Sequence, residues 1–164
     1  VRALRQAVAD GVIDIIATDH APHPTEAKEC EWDAAAFGMV GLESAVPIAL
    51  SALVQPGYAS FADLERLLSR TPAEIGGLHG HPTALDAGQP ADLVLVDPRG
   101  TSVFELQRLK GRSSNSPYLG MELPGSVHTT VRRGYLTLDA GELVDAAVVA
   151  ASAQAVGAVQ EGAR

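Results

Sequence analysis

Cysteine is almost missing from this sequence: Cys30 is the only one. A lone thiol cannot close a disulfide within the chain, so packing must hold the fold together, as expected for a protein of the reducing cytoplasm. With no partner cysteine, Cys30 reads as an inert loop thiol rather than a metal ligand or nucleophile. Positive charge is scarce too. Twelve Lys and Arg stand against 20 Asp and Glu, a formal charge of -8, and the only basic cluster is the pair Arg132-Arg133. Nucleic acid and anionic membrane surfaces are therefore poor partners. No apolar run approaches the roughly 20 residues that a bilayer span needs, no signal sequence is visible, and no internal repeat is apparent.

What is present is 46% hydrophobic residues over 164 positions, enough for one core. A complete (β/α)8 barrel typically takes about 250 residues, so none fits in this length. The chain starts at Val1, inside a helical pattern, and is expected to be the C-terminal piece of a longer protein.

The densest chemistry lies in Asp14 to His23. Val12, Ile13, Ile15 and Ile16 make a short apolar run of strand-forming residues, preceded by a helical spacing of Val1, Leu4, Ala7 and Val8 that stops at Gly11. A strand apolar on both faces is expected to be covered on both faces, as in a parallel sheet of an α/β fold. Catalytic groups in such folds sit just past the carboxyl ends of the strands. Asp19 falls at that point, followed by His20 and His23, with Pro22 stiffening the loop and holding Ala21 extended. A carboxylate there suits a metal and can also carry a proton. The plainer reading is that Asp19 caps a turn and the histidines are ordinary loop residues.

Residues 24–40 form a long charged loop leaving this strand, either a binding loop or a solvated surface. At its end Phe37-Gly38 and Gly41 would let backbone approach a ligand, or would make a simple turn into the next helix. A helix face follows over Leu42 to Leu53, with Pro47 tolerable only near the first turn. Ser60 to Asp63 and Thr71 to Glu74 read as capping boxes opening two short helices, roughly 61–69 and 72–76. His79 and His81 flank Gly80 but no apolar strand feeds them, so they read as a surface connector rather than a metal pair. Beyond Pro82 the pattern turns to β: Ala91 to Val96, Val127 to Val131, Tyr135 to Leu138 and Glu142 to Val144, with turns at Arg133-Gly134 and Asp139-Ala140-Gly141. Lys110 to Gly120 reads as a polar structural connector, and Ala-rich 146–164 as a frayed helix or disordered tail.

The run Thr18-Asp19-His20-Ala21-Pro22-His23, with Glu26, Lys28 and Ala36-Phe37-Gly38-Met39-Val40-Gly41-Leu42-Glu43, resembles the last barrel segment of the dihydroorotases, in the amidohydrolase superfamily. The similarity continues through Arg70-Thr71-Pro72-Ala73, Ala91 to Asp97, and Asn115-Ser116-Pro117-Tyr118 with Gly120, spanning about residues 1–145. It implies an α/β architecture: the last segment of a metal-dependent hydrolase (β/α)8 TIM barrel over 1–78, a small antiparallel β-sandwich composite domain over 79–145, and the tail.

The resemblance further implies reversible, zinc-dependent cyclisation of N-carbamoyl-L-aspartate to L-dihydroorotate in pyrimidine biosynthesis. Asp19 would be a metal ligand and the proton-transferring base, His23 would bind the substrate carboxylate, and Phe37 and Gly38 the ring amide. His20 would orient the loop from behind. One or two zinc ions are expected, with the remaining ligands upstream of this segment, so the segment by itself would be inactive. Partners would be the small-molecule substrate and either a second copy or aspartate transcarbamoylase. Two other readings stay open. One is an inactive dihydroorotase-like scaffold subunit of aspartate transcarbamoylase. The other is a related cyclic amidohydrolase acting on allantoin, a dihydropyrimidine or a hydantoin, for which a carboxylate-binding residue at His23 would have no purpose.

Overall fold

The computed structural model describes residues 1–80 and 85–152. They divide into two compact units, Val1–Gly76 with Pro98–Gly125, and Gly77–Asp97 with Ser126–Arg164. Among the described residues all the buried apolar ones belong to the first, among them Val40, Leu50, Leu53, Leu64, Leu67, Phe104 and Leu123.

The first unit opens with helix α1, Arg2–Ala9, ended as expected by Gly11 in the left-handed region. Of its apolar stripe only Val8 is buried; Val1 and Leu4 are exposed. The apolar run after it departs from expectation. Residues 12–18 run on without helix or turn but belong to no strand, and Val12 and Ile15 are 71% and 38% exposed. A parallel strand needs a neighbour along each edge, and the backbone bonds of this segment go to helical carbonyls instead: Val12 and Ile13 N–H to Ala7 O at 2.9 and 3.3 Å, and Ile16 N–H to Leu67 O at 2.9 Å. The segment joins no sheet for want of neighbouring strands.

After the short helix α2, Thr25–Lys28, helix α3 spans Ala45–Ala49 and runs on as a π-helical turn, Leu50–Val54. It begins three residues later than the apolar spacing suggests, so Leu42 is exposed. Pro47 sits at its third position, where the missing N–H would have no partner in any case. Helix α4, Phe61–Glu65, is capped as read from sequence: the Ser60 hydroxyl accepts from Asp63 N–H and the Asp63 carboxylate accepts from Ser60 N–H. The second expected cap does not form. Residues 61–75 are continuously helical, through a π-helical turn, Arg66–Arg70, into α5, Thr71–Ile75. Pro72 has no N–H for the carbonyl four residues back and its ring crowds that turn, and the widened turn before it relieves both. Leu67 lies in that turn, fully buried, with its carbonyl turned to Ile16.

The chain also forms one four-stranded sheet in the order β1 (Leu93–Val103), β2 (Glu122–Arg132), β3 (Tyr135–Asp139), β4 (Glu142–Leu143). The first two strands run further than their apolar cores suggested, β1 on to Val103 and β2 from Glu122. Pairing of β2 with β3 and of β3 with β4 is antiparallel, with Arg132 opposite Tyr135 and Asp139 opposite Glu142. Both connections are two-residue turns with positive φ at each position, Arg133-Gly134 and Ala140-Gly141, the geometry whose twist matches that of the strands it joins. In the second unit, Asp92 holds the first turn by accepting from the Arg133 N–H and pairing with the Arg132 guanidinium. No described residue of this unit is fully buried. Residues 146–152 are helical; His81 and the rest of the expected tail lie outside the described residues. Among the described residues no helix is long and apolar enough to cross a membrane.

Candidate active site

The site belongs to the first unit and is assembled from three stretches of chain: 18–23, 36–41 and 114–117. Asp19 ends the run from Val12 in the left-handed region, at φ 47°, a conformation that Asp tolerates better than most residues. The chain turns there, and His20 forms a parallel bridge with Met39, continued by Ala21 N–H donating to the Met39 carbonyl at 2.9 Å. Two glycines make this approach close enough. At Gly41 an added Cβ would lie 3.2 Å from the Thr18 carbonyl oxygen; at Gly38, with φ +110°, it would lie 2.5 Å from the Ala21 Cβ.

The two histidines take different roles. Gly41 N–H donates to His20 Nδ1 at 3.2 Å, so Nδ1 carries the lone pair and the neutral ring carries its proton on Nε2. Neither nitrogen of His20 then has a lone pair free for a ligand, and the ring serves to tie its loop to residue 41. His23 Nε2 lies 2.7 Å from the Phe37 carbonyl oxygen, which can only accept, so Nε2 bears a proton and Nδ1 is the nitrogen left for a ligand.

The Phe37-Gly38 backbone is held by its carbonyls. The Lys28 ammonium donates to Ala36 O at 2.8 Å and to Gly38 O at 3.1 Å. Asn115 reaches in from the third stretch: its Nδ2 donates to Ala21 O at 3.0 Å and Gly38 O at 3.3 Å, and its Oδ1 accepts from His23 N–H at 3.2 Å. With the carbonyls occupied, the Phe37 and Gly38 N–H groups make no backbone hydrogen bond among the described residues. An open cleft of about 550 Å³ lies here, lined by Lys28, Gly38, Met39 and residues 114–117.

The structure thus brings His20, His23, Phe37 and Gly38 together. Asp19 stands at the turn into this group, exposed, its carboxylate without a hydrogen-bond partner among the described residues. Among those residues no three His, Cys, Asp or Glu side chains converge, so Asp19 fits a metal as one oxygen donor and not as part of a complete set. Sequence reasoning missed the holding roles of Lys28 and Asn115. Asn115 entered only through the resemblance, and its bonds left no local pattern, because their partners lie more than 75 residues away.

Residues 1–137 match the sequence profile of the amidohydrolase family. The chain is 55% identical over 145 residues to a dihydroorotase of Leifsonia xyli subsp. xyli, covering 88% of this chain and 33% of that protein. It is 49% identical over 143 residues to a dihydroorotase of Streptomyces coelicolor, covering 87% and 33%. The chain therefore spans about a third of the length of the curated relatives it matches. Among solved structures it is similar to the L-hydantoinase (dihydropyrimidinase) from Arthrobacter aurescens, with TM-score 0.79, 29% identity, and coverage of 87% of this chain and 32% of that one. Its α/β fold, with an antiparallel sheet, is that of the matching part of such a barrel hydrolase. By the family match over most of its length, the chain belongs to the amidohydrolase family.

Proposed function

We propose that the protein carrying this segment is a dihydroorotase, a hydrolase of cyclic amides that interconverts L-dihydroorotate and N-carbamoyl-L-aspartate in cytoplasmic pyrimidine biosynthesis. The observation that carries the reading is His23 held against the Phe37-Gly38 backbone, with Nδ1 and two amide N–H groups left for a ligand. A ring bearing both a carboxylate and an amide asks for that pairing: an imidazolium donating from Nδ1 for the carboxylate, since Nε2–H is committed to Phe37 O, and main-chain donors for the ring carbonyl. The dihydroorotase relatives support the same substrate.

The metal is zinc in this reading, and Asp19 would be one of its ligands. When bound, zinc supplies Lewis acidity that makes water a nucleophile at neutral pH. Asp19 would take the proton from the attacking water and deliver it to the ring nitrogen, which leaves poorly as an anion. In the direction of ring closure it would move the same proton back. His23 orients the ring through its carboxylate, and His20 keeps Asp19 and the 37–41 backbone in register through its bond to Gly41. The division into 1–78 from the barrel and 79–145 from the composite domain is part of the same proposal.

The test is ring opening of L-dihydroorotate, allantoin and dihydrouracil by the full-length protein with zinc, and by its Asp19→Ala variant. Selective turnover of dihydroorotate is expected, with a loss on the order of 10²-fold to 10⁴-fold or more in the variant, as for removal of a general acid-base group. Turnover of a neutral ring instead would point to a hydantoinase-like substrate, as in the structural relative, and no turnover by a folded protein would leave the scaffold reading.

A further inference from the structure

Asn115 stands out because it is the one side chain that bonds both substrate-facing stretches at once. Its Oδ1 accepts from the His23 backbone, and its Nδ2 donates to Ala21 O and Gly38 O. Its own carbonyl accepts from Val40 N–H at 3.1 Å, just beyond the Phe37-Gly38 turn. The loop that carries it is pinned rather than free. Its ends are clipped where Phe104 N–H donates to Met121 O at 2.8 Å and Gly120 N–H to Phe104 O at 2.9 Å, with Phe104 almost fully buried. Between them Lys110 N–H donates to the Glu43 carboxylate at 3.0 Å. The half-buried carboxamide is thus presented on an anchored support, and it fills the gap between the 21–23 and 38–40 backbones with one acceptor and two donors.

We propose that Asn115 is a positioning residue of the active site, setting the distance between the His23 ring and the Phe37-Gly38 amides and so the hold on the two ends of the substrate. The proposal rests on the dihydroorotase reading for the identity of the substrate but not for the geometry. No other residue type serves as well in that place. Aspartate matches the shape and keeps the acceptor for His23 N–H, but it sets a carboxylate against the Ala21 and Gly38 carbonyls. Alanine removes all three side-chain bonds and keeps the main-chain bond to Val40.

The experiment uses the full-length, zinc-loaded protein and its Asn115→Asp and Asn115→Ala variants. It measures kcat and KM for L-dihydroorotate, zinc content, melting temperature, and hydrogen exchange of the ligand-free peptides covering 20–24 and 36–41. The expected result is a KM raised about 10-fold to 100-fold in both variants, the scale found when a supporting partner of an active-site group is removed. The change in kcat should be smaller and zinc content unaltered, and exchange should quicken in both peptides. An Asn115→Asp enzyme with KM and exchange like the parent would overturn the proposal, because the residue would then only fill space. Loss of zinc and melting temperature in step with activity would overturn it too, by making the role a general structural one. If the parent opens no dihydroorotate while the variants still loosen both peptides, the substrate reading fails and the positioning role stands; unchanged exchange sinks the positioning role whatever the substrate.

Discussion

Gly38 carries the tightest constraint in the site. Its φ of +110° is a conformation that L side chains rarely adopt, and an added Cβ would lie 2.5 Å from the Ala21 Cβ. Gly38→Ala is therefore expected to push the 37–39 backbone away from residue 21. Steady-state kinetics should show KM for dihydroorotate raised at least about 10-fold, and thermal unfolding should show a loss of about 1–3 kcal/mol, the usual cost of backbone strain. A variant that binds and melts like the parent would mean the loop has room to spare. The glycine itself was visible in the sequence, and so was the crowding of Asp19, His20 and His23. The partners that hold them were not. Lys28 looked like one charge among many on a polar loop, and Asn115 like a residue of a connector, because a hydrogen bond to a carbonyl 77 or 94 residues away has no local pattern.

At the level of elements, the start of α4 and the widened turn behind it support testable statements. The Asp63 carboxyl is held below its ordinary 3.8, chiefly by the Ser60 hydroxyl and backbone N–H, with Arg66 adding a smaller pull. A carboxyl with a lowered folded-state pKa stabilises the protein above the unfolded value and loses that contribution as pH falls through the folded one. The gap in melting temperature between the parent and Asp63→Ala should thus be widest above about pH 5 and close progressively on the acid side of 3.8. A gap that stays constant down to low pH would show that the charge on Asp63 plays no part in the cap. Leu67, fully buried in the π-helical turn, should cost about 2–5 kcal/mol on substitution by Ala, read from denaturant unfolding. Faster exchange at the Ile16 amide, whose acceptor is the Leu67 carbonyl, should accompany it. The Ser60 cap was legible because its donors and acceptors lie within three residues. The fusion of 61–75 into one helix was not, because Pro72 after Thr71 carries the same local signal whether it starts a helix or follows a π-helical turn.

For the whole molecule, the arithmetic of metal ligands decides what this length of chain can do. Zinc sites take about four ligands, and among the described residues no three His, Cys, Asp or Glu side chains converge, so in the proposed reading Asp19 would be one donor of an incomplete set. A polypeptide of these 164 residues alone is expected to come through gel filtration in metal-free buffer with well under one zinc per chain, measured by elemental analysis. Stoichiometric zinc would mean that the ligand set is complete within it. In the proposed reading the same chain is expected not to open dihydroorotate, because no complete ligand set converges among its described residues.

By itself the sequence determined the helices with a local cap or stop, the two tight turns of the sheet, the resemblance, and the residue types that mark the site. Each of these rests on interactions within a few positions along the chain, which is why pattern reading reaches them. Only the tertiary structure decided three other things: that residues 12–19 join no strand and bond to the Ala7 and Leu67 carbonyls, that His20 spends its lone pair on Gly41, and that Asn115 joins His23 to Gly38. Those depend on which distant backbone groups meet. Hydrogen bonds over such separations are set by packing, and no spacing of letters encodes them.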